Sequence, residues 1–168
     1  MELIERVGGG PVALDSAIFI YFIEDDERRA PLIASLLQRI DQGQLGAVTS
    51  AVTLLECLVV PYRDGDLALA ERYEALLTRS RGLTLIDFDR PLLRAAAQLR
   101  AALGLKTPDA LQLAAALRTG AKAFLTNDRR LPPVAGLAML QLDDFLPPSA
   151  GQHASGAPRA TKKRARPR

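Results

Sequence analysis

Residues 106–131, KTPDALQLAAALRTGAKAFLTNDRRL, leave the chain little choice of architecture. Leu111, Leu113, Ala114, Ala115 and Leu117 make a helix apolar enough to be largely buried, and Ala121 to Thr126 is an apolar run with the length of a buried strand. Thr119-Gly120 ends the helix with a residue that tolerates positive φ, and Asn127-Asp128 supply the polar break where the strand stops. Thr107 is expected as the N-cap, with Pro108 in the first helical position, where no N–H is wasted. Asp109 then falls in the first turn, facing the positive end of the helix dipole. In a parallel α/β sheet, strand C-termini and helix N-termini meet at one edge, where ligands bind. Asp109 and Asp128 would share that edge, although capping or turn chemistry accounts for each of them singly.

The same alternation runs through the rest of the chain. Val12 to Leu14 is a short apolar run stopped by Asp15-Ser16, and Ala17 to Glu24 follows as a helix with Ser16 as its expected N-cap. Ala30 to Ile40 has helical apolar spacing, Leu45 to Thr49 is strand-like, and Ser50 is expected to cap the helix AVTLLECLVVPYR. Glu56 sits two turns inside that mostly apolar helix, so it faces either solvent or a polar site. Asp66 to Arg79 is an amphipathic helix and Leu83 to Ile86 a third strand. Pro91 begins a helix closed by Gly104, and Leu137 to Leu142 adds a last strand. Strands alternating with helices specify an α/β domain with a parallel sheet.

Several chemistries are disfavoured by what the sequence holds. Gly8 to Gly10 precedes the first strand, and no Gly-Lys-Ser/Thr occurs, so this is neither a P-loop nor a dinucleotide fingerprint. Cys57 is the single cysteine, set among Leu54, Leu55, Leu58 and Val59 as a buried thiol would be; no internal disulfide or Cys-based zinc cluster can form. His153, the single histidine, lies in the C-terminal tail, which argues against Ser-His-Asp, Cys-His and paired-His chemistry. No run approaches the ~18 apolar residues of a membrane span, and the N-terminus lacks the pattern of a secretory signal, so a cytoplasmic protein is expected.

One domain is expected over residues 1–148, followed by a basic tail over 149–168. Six of the 22 basic residues and no acid fall in the tail, so of the net charge of +3 it carries +6 and the remainder −3. Its Gly, Ala, Pro, Lys and Arg composition cannot offset the entropy of ordering, and disorder is expected. Either phosphate contact or solubility would account for its charge.

Leu14-Asp15-Ser16, the helical TLLE ending at Glu56, Thr107-Pro108-Asp109-Ala110 and Leu125-Thr126-Asn127-Asp128 occur in the order and approximate spacing of a PIN domain. From about Val12 to Leu142 the sequence resembles the VapC-type ribonuclease toxins of toxin–antitoxin operons. The resemblance implies a three-layer α/β/α fold with a mostly parallel five-stranded sheet. It implies that Asp15, Glu56, Asp109 and Asp128 form an acidic catalytic quartet, with Ser16, Thr126 and Asn127 as supporting polar residues. It also implies a homodimer, a small antitoxin partner and an RNA substrate.

Physical chemistry says why such a quartet needs a cation. Two carboxylates about 4 Å apart at an effective dielectric near 20 repel by roughly 4 kcal/mol, and without a metal at least one acid should be partly protonated. Oxygen-only ligands suit Mg²⁺ or Mn²⁺, one ion or two, activating a water for attack on a phosphodiester. Asp15, Asp109 and Asp128 are the expected metal ligands, and Glu56 completes the site and orients the water. Grip on RNA would have to come from basic residues: Arg28, Arg29, Arg63, Arg129, Arg130 or the tail.

Three rivals compete. A haloacid-dehalogenase-like phosphatase needs a second Asp two residues after the first, where this chain has Ala17. A catalytically silent PIN-like binding module need not retain all four acids. A free-standing RNA-processing nuclease would lack the antitoxin.

Overall fold

The strands are short and apolar because most of them are covered on both faces. Val12–Leu14 (β1), Ala47–Ser50 (β2) and Ala123–Thr126 (β4) are buried at every position, whereas Leu83–Ile86 (β3) and Ala138–Gln141 (β5) are partly exposed. The sheet order β3-β2-β1-β4-β5 explains the difference, since the two exposed strands are its edges. Every pairing is parallel, so the expected mostly parallel sheet is parallel throughout. The computed structural model describes residues 3–7 and 9–147. The expected tail, residues 149–168, lies outside them.

Seven α-helices are present among the described residues: Leu3–Val7 (α1), Ser16–Ile23 (α2), Ala30–Asp41 (α3), Val52–Asp64 (α4), Leu67–Arg79 (α5), Arg90–Leu103 (α6) and Thr107–Arg118 (α7). A 3₁₀ turn, Leu142–Phe145, follows β5. Successive strand residues point to opposite faces, which divides the core in two. Val12, Leu14, Ala123 and Leu125 pack with Ile18, Phe19, Ile33, Leu36, Cys57, Tyr73 and Leu77 from α2 to α5. Ala13, Val48 and Phe124 pack instead with Leu92, Ala96 and the run Ala110 to Ala116 of α6 and α7. The result is the expected α/β/α layering. Within the layer it shares with α6, α7 is buried at seven consecutive positions, from Ala110 to Ala116.

Three expected caps fall one residue away from their helix boundaries. Asp15, not Ser16, holds the extended N-cap position of α2, because the Ser16 hydroxyl is drawn into a buried polar network. Lys106 holds that position in α7, since the chain turns helical one residue early and the Ala110 N–H donates to the Lys106 carbonyl at 3.0 Å. Ala51 precedes α4, while Ser50 closes β2 and accepts from the Val52 N–H at 3.3 Å. The α1 helix was not anticipated from MELIERV.

One glycine is dictated by contact. A Cβ on Gly82, at the entry to β3, would stand 2.0 Å from the Ile40 carbonyl oxygen near the end of α3.

Candidate active site

The chain runs outward from β1 to β2 and β3, then returns to place β4 on the other side of β1. Ligands of open α/β sheets bind at such a reversal, beyond the strand C-termini. Asp15 follows β1 there, and Asp128 stands two residues past β4. Leu14 pairs with Leu125 in register, and the Asp15 N–H donates to the Leu125 carbonyl at 3.0 Å. This register puts Asp15 beside Thr126.

The Thr126 hydroxyl links the two acids. It donates to Asp15 Oδ2 at 2.5 Å and accepts from the Asp128 N–H at 3.0 Å. Burial raises the Asp15 pKa; the bonds from Thr126 and the Ser16 N–H oppose it, and repulsion from Glu56 and Asp109 adds to it. Asp109, in the first turn of α7, is also raised, first by burial and then by the Asp128 charge, against the pull of Lys106 and Arg130. Thus Asp15, Glu56, Asp109 and Asp128 lie within electrostatic reach of one another in sequence around the edge.

Asp128 differs from the others. Arg130 donates Nε to Oδ1 at 2.8 Å, Nη2 to Oδ2 at 2.6 Å and its own backbone N–H to Oδ1 at 2.9 Å. These bonds hold the Asp128 pKa down at about 2. Of the arginines proposed to grip a substrate, Arg130 alone is shown bonded to a quartet acid. Arg29 is held by Asp26 and Asp143 and lies over the Tyr21 ring, Arg63 pairs with Asp64, and Arg129 pairs with Asp144.

Glu56 takes the second of its two expected orientations. It accepts a hydrogen bond from the Ser16 hydroxyl and so faces the polar edge. Ser16, expected as a supporting polar residue, in turn belongs to a buried set with Thr49, Thr53 and Gln112, three residues not anticipated at the site. Gln112 lies one turn after Asp109 on α7, three residues on and hence on the same helix face. A lone glutamine inside LQLAAA was the available signal, since an amide is buried only when it is bonded. Asn127 does not join the acids; its side-chain oxygen accepts from the Asp143 N–H at 3.3 Å and secures the 3₁₀ turn.

The donor set suits a hard divalent cation: it is all oxygen, and two of its carboxylates have pKa values raised partly by mutual repulsion. Among the described residues no three Asp, Glu, His or Cys side chains are grouped so that they could hold a cation as they stand. Arg130 engages Asp128, so loading a cation there would require those two side chains to reorient.

The family model for the PIN domain matches residues 12–137, from the first residue of β1 to the residue before β5. The chain belongs to the PIN domain family. PIN domains as a family use divalent metal ions, in keeping with the oxygen-only donor set. Three solved structures share this PIN fold. One is VapBC2 from Rickettsia felis bound to a promoter DNA fragment, with 18% identity over 78% of this chain and 98% of the other and a TM-score of 0.57. A second is a toxin–antitoxin complex from Klebsiella pneumoniae, with 18% identity, 76% and 95% coverage and a TM-score of 0.53. DNA-bound VapBC from Salmonella typhimurium gives 19% identity, 80% and 99% coverage and a TM-score of 0.54. At such identities the likeness is one of fold. Comparison with curated proteins yields no match.

Proposed function

We propose that this PIN domain is a metal-dependent endoribonuclease, and that it is the toxin of a VapBC-like toxin–antitoxin pair. The carrying observation is the electrostatic coupling of Asp15 to Glu56 and Asp109, and of Asp109 to Asp128, at the strand edge where β1 and β4 meet. Asp15, Asp109 and Asp128 would hold Mg²⁺ or Mn²⁺, which supplies water activation and charge neutralisation at a phosphodiester when bound. Thr126 keeps Asp15 and Asp128 in fixed relation through one hydroxyl. Glu56, held from behind by Ser16, orients the attacking water. Arg130 would be free as a donor for a substrate phosphate if Asp128 held the cation.

The toxin assignment draws on the fold neighbours, two of which are VapBC complexes and one a toxin–antitoxin complex. An exposed apolar stretch of Leu55, Val59, Val60 and Tyr62 on α4 with Leu67 on α5 is consistent with a protein partner, an antitoxin or a second copy of the chain. No helix among the described residues is long and apolar enough to cross a membrane.

The test is cleavage of RNA by purified protein with Mg²⁺, Mn²⁺ or a chelator. Asp109→Asn should cut the metal-dependent rate by ~10²-fold or more, the scale for losing one preorganised electrostatic group. Cleavage undiminished in Asp109→Asn would falsify the assignment. A second reading, a catalytically silent binding module, is favoured by the Arg130 bonds that occupy Asp128. Melting with and without Mn²⁺ separates the two, because a ligand of the native state raises Tm and a silent scaffold gains little.

A further inference from the structure

Gln112 is 4% exposed, lies inside the most buried helix of the fold and touches three other elements. Its Nε2 donates to Thr53 Oγ1 at 2.6 Å and to Ser16 Oγ at 2.9 Å, and its Oε1 accepts from the Ser50 N–H at 3.3 Å. The Ser50 bond fixes which way round the amide sits, because a backbone N–H can only donate.

Proton counting then gives the whole set one direction. Thr49 Oγ1 donates to the Leu14 carbonyl at 2.8 Å, so its single proton is committed. In the 2.7 Å contact between Thr49 and Thr53, Thr53 must therefore be the donor. With that proton committed, Thr53 accepts from Gln112. The second Gln112 hydrogen goes to the Ser16 oxygen, which leaves the Ser16 proton two acceptors: Thr53 Oγ1 at 3.1 Å and Glu56 Oε2, which is nearer. A carboxylate is the stronger acceptor. The order runs from Gln112 to Thr53, Thr49 and the Leu14 carbonyl on one arm, and from Gln112 to Ser16 and Glu56 on the other. Gln112 is the one side chain in the set that donates twice.

We propose that Gln112 is a positioning residue for Glu56: by donating to Thr53 and Ser16 together, it directs the Ser16 proton onto the Glu56 carboxylate and holds that carboxylate in one orientation. This role rests on the reading of Glu56 as part of a nuclease site. It also gives a reason for a glutamine where apolar packing would suit the helix, because no apolar side chain supplies two donors. An ionised glutamate of nearly the same shape supplies none.

The experiment compares Gln112→Met and Gln112→Glu with wild type in RNA cleavage, in Mn²⁺ binding by calorimetry and in thermal melts. Each variant should lose ~10- to 100-fold in kcat, as expected of a mispositioned acid–base group, with KM for RNA within about twofold and Kd for Mn²⁺ within about threefold of wild type. Ser16→Ala should lose as much, and the double variant Ser16→Ala/Gln112→Met no more than the larger single, since both act on one bond. Multiplied losses in the double variant would overturn the role, as would a Gln112→Met kcat within about threefold of wild type. So would a Mn²⁺ affinity that falls in step with kcat, which would mark general damage to the site. Should the Gln112 variants fail to melt cooperatively, Ser16→Ala decides alone, and a kcat within about threefold of wild type refutes the role. Wild-type protein without metal-dependent cleavage removes the nuclease reading and the role together. An active wild type with unaffected variants removes only the role.

Discussion

Replacing Arg130 by glutamine should move stability and metal affinity in opposite directions. Arg130 lowers the Asp128 pKa from 3.8 to about 2, through two side-chain bonds and one backbone bond. At 1.36 kcal/mol per unit the gross interaction is about 2 kcal/mol, of which glutamine gives up the side-chain bonds, the largest cause, and keeps the backbone bond. The Arg130 side chain is 81% exposed and that of Asp128 28% exposed, so screening reduces the net to about 0.5–1 kcal/mol. For a domain of this size that is a loss of about 1–4 °C in the Tm of the metal-free protein at neutral pH. Because the folded pKa is depressed, the stabilisation is present above 3.8 and lost as pH falls toward and through about 2; the gap between wild type and variant closes over that window. The same bonds compete with a cation for Asp128. Removal of the two side-chain bonds should tighten Mn²⁺ binding by about two- to fivefold, the affinity equivalent of 0.5–1 kcal/mol. Calorimetric titration and melts at pH 7 measure both effects on one preparation. A lower Tm with unchanged or weaker Mn²⁺ binding would show that Asp128 is not a cation ligand.

Asp109→Asn should raise the metal-free Tm at pH 7 while abolishing most of the gain from Mn²⁺. The Asp109 pKa is raised by burial and by Asp128, so the charged acid destabilises the fold as pH rises through its folded value; a variant less stable than wild type without metal would contradict this. Gly82→Ala should cost about 1–3 kcal/mol by overpacking, because the added methyl meets the Ile40 carbonyl, which is backbone and yields little. Chemical denaturation measures that loss, and an unchanged midpoint would refute it. Cys57 is buried, with its pKa pushed up to about 12 chiefly by burial, so a thiol reagent at pH 8 should label the native protein only at the rate of opening. Rapid labelling of the folded protein would refute this expectation.

The parts of the fold legible in the sequence were those written in local periodicity. Each of the five strands and the helices α2 to α7 could be placed from apolar spacing and from punctuation such as Gly104 and Gly120, both at positive φ. The cap at Thr107 was misplaced because the helix starts one residue early, and that at Ser16 because a hydroxyl beside a helix start can serve the backbone or a distant partner. Only the tertiary fold decides: Ser16 finds Thr53 and Glu56, 37 and 40 positions away. The same holds for the site. Asp15, Asp109 and Asp128 stand where strands stop or a helix starts, which local sequence shows, whereas Thr53 lies within a helix and the one local sign of Gln112 is an amide set in the apolar run LQLAAA. Arg130 was only one of five arginines until the turn after β4 bent it back onto Asp128.

The adjacency of β1 and β4 also sets when the site comes into being. The Thr126 hydroxyl that bonds Asp15 belongs to a residue 111 positions later in the chain. At ~5–20 residues per second of synthesis, β4 is made ~5–20 s after β1. Asp15 is part of the nascent chain throughout that interval and Glu56 for the later part of it, while Thr126 and Asp128 do not yet exist. On the proposed nuclease reading, the site is by this topology unassembled until β4 has been made, and ribosome-bound chains ending before Ala123 should be inert toward the message that encodes them.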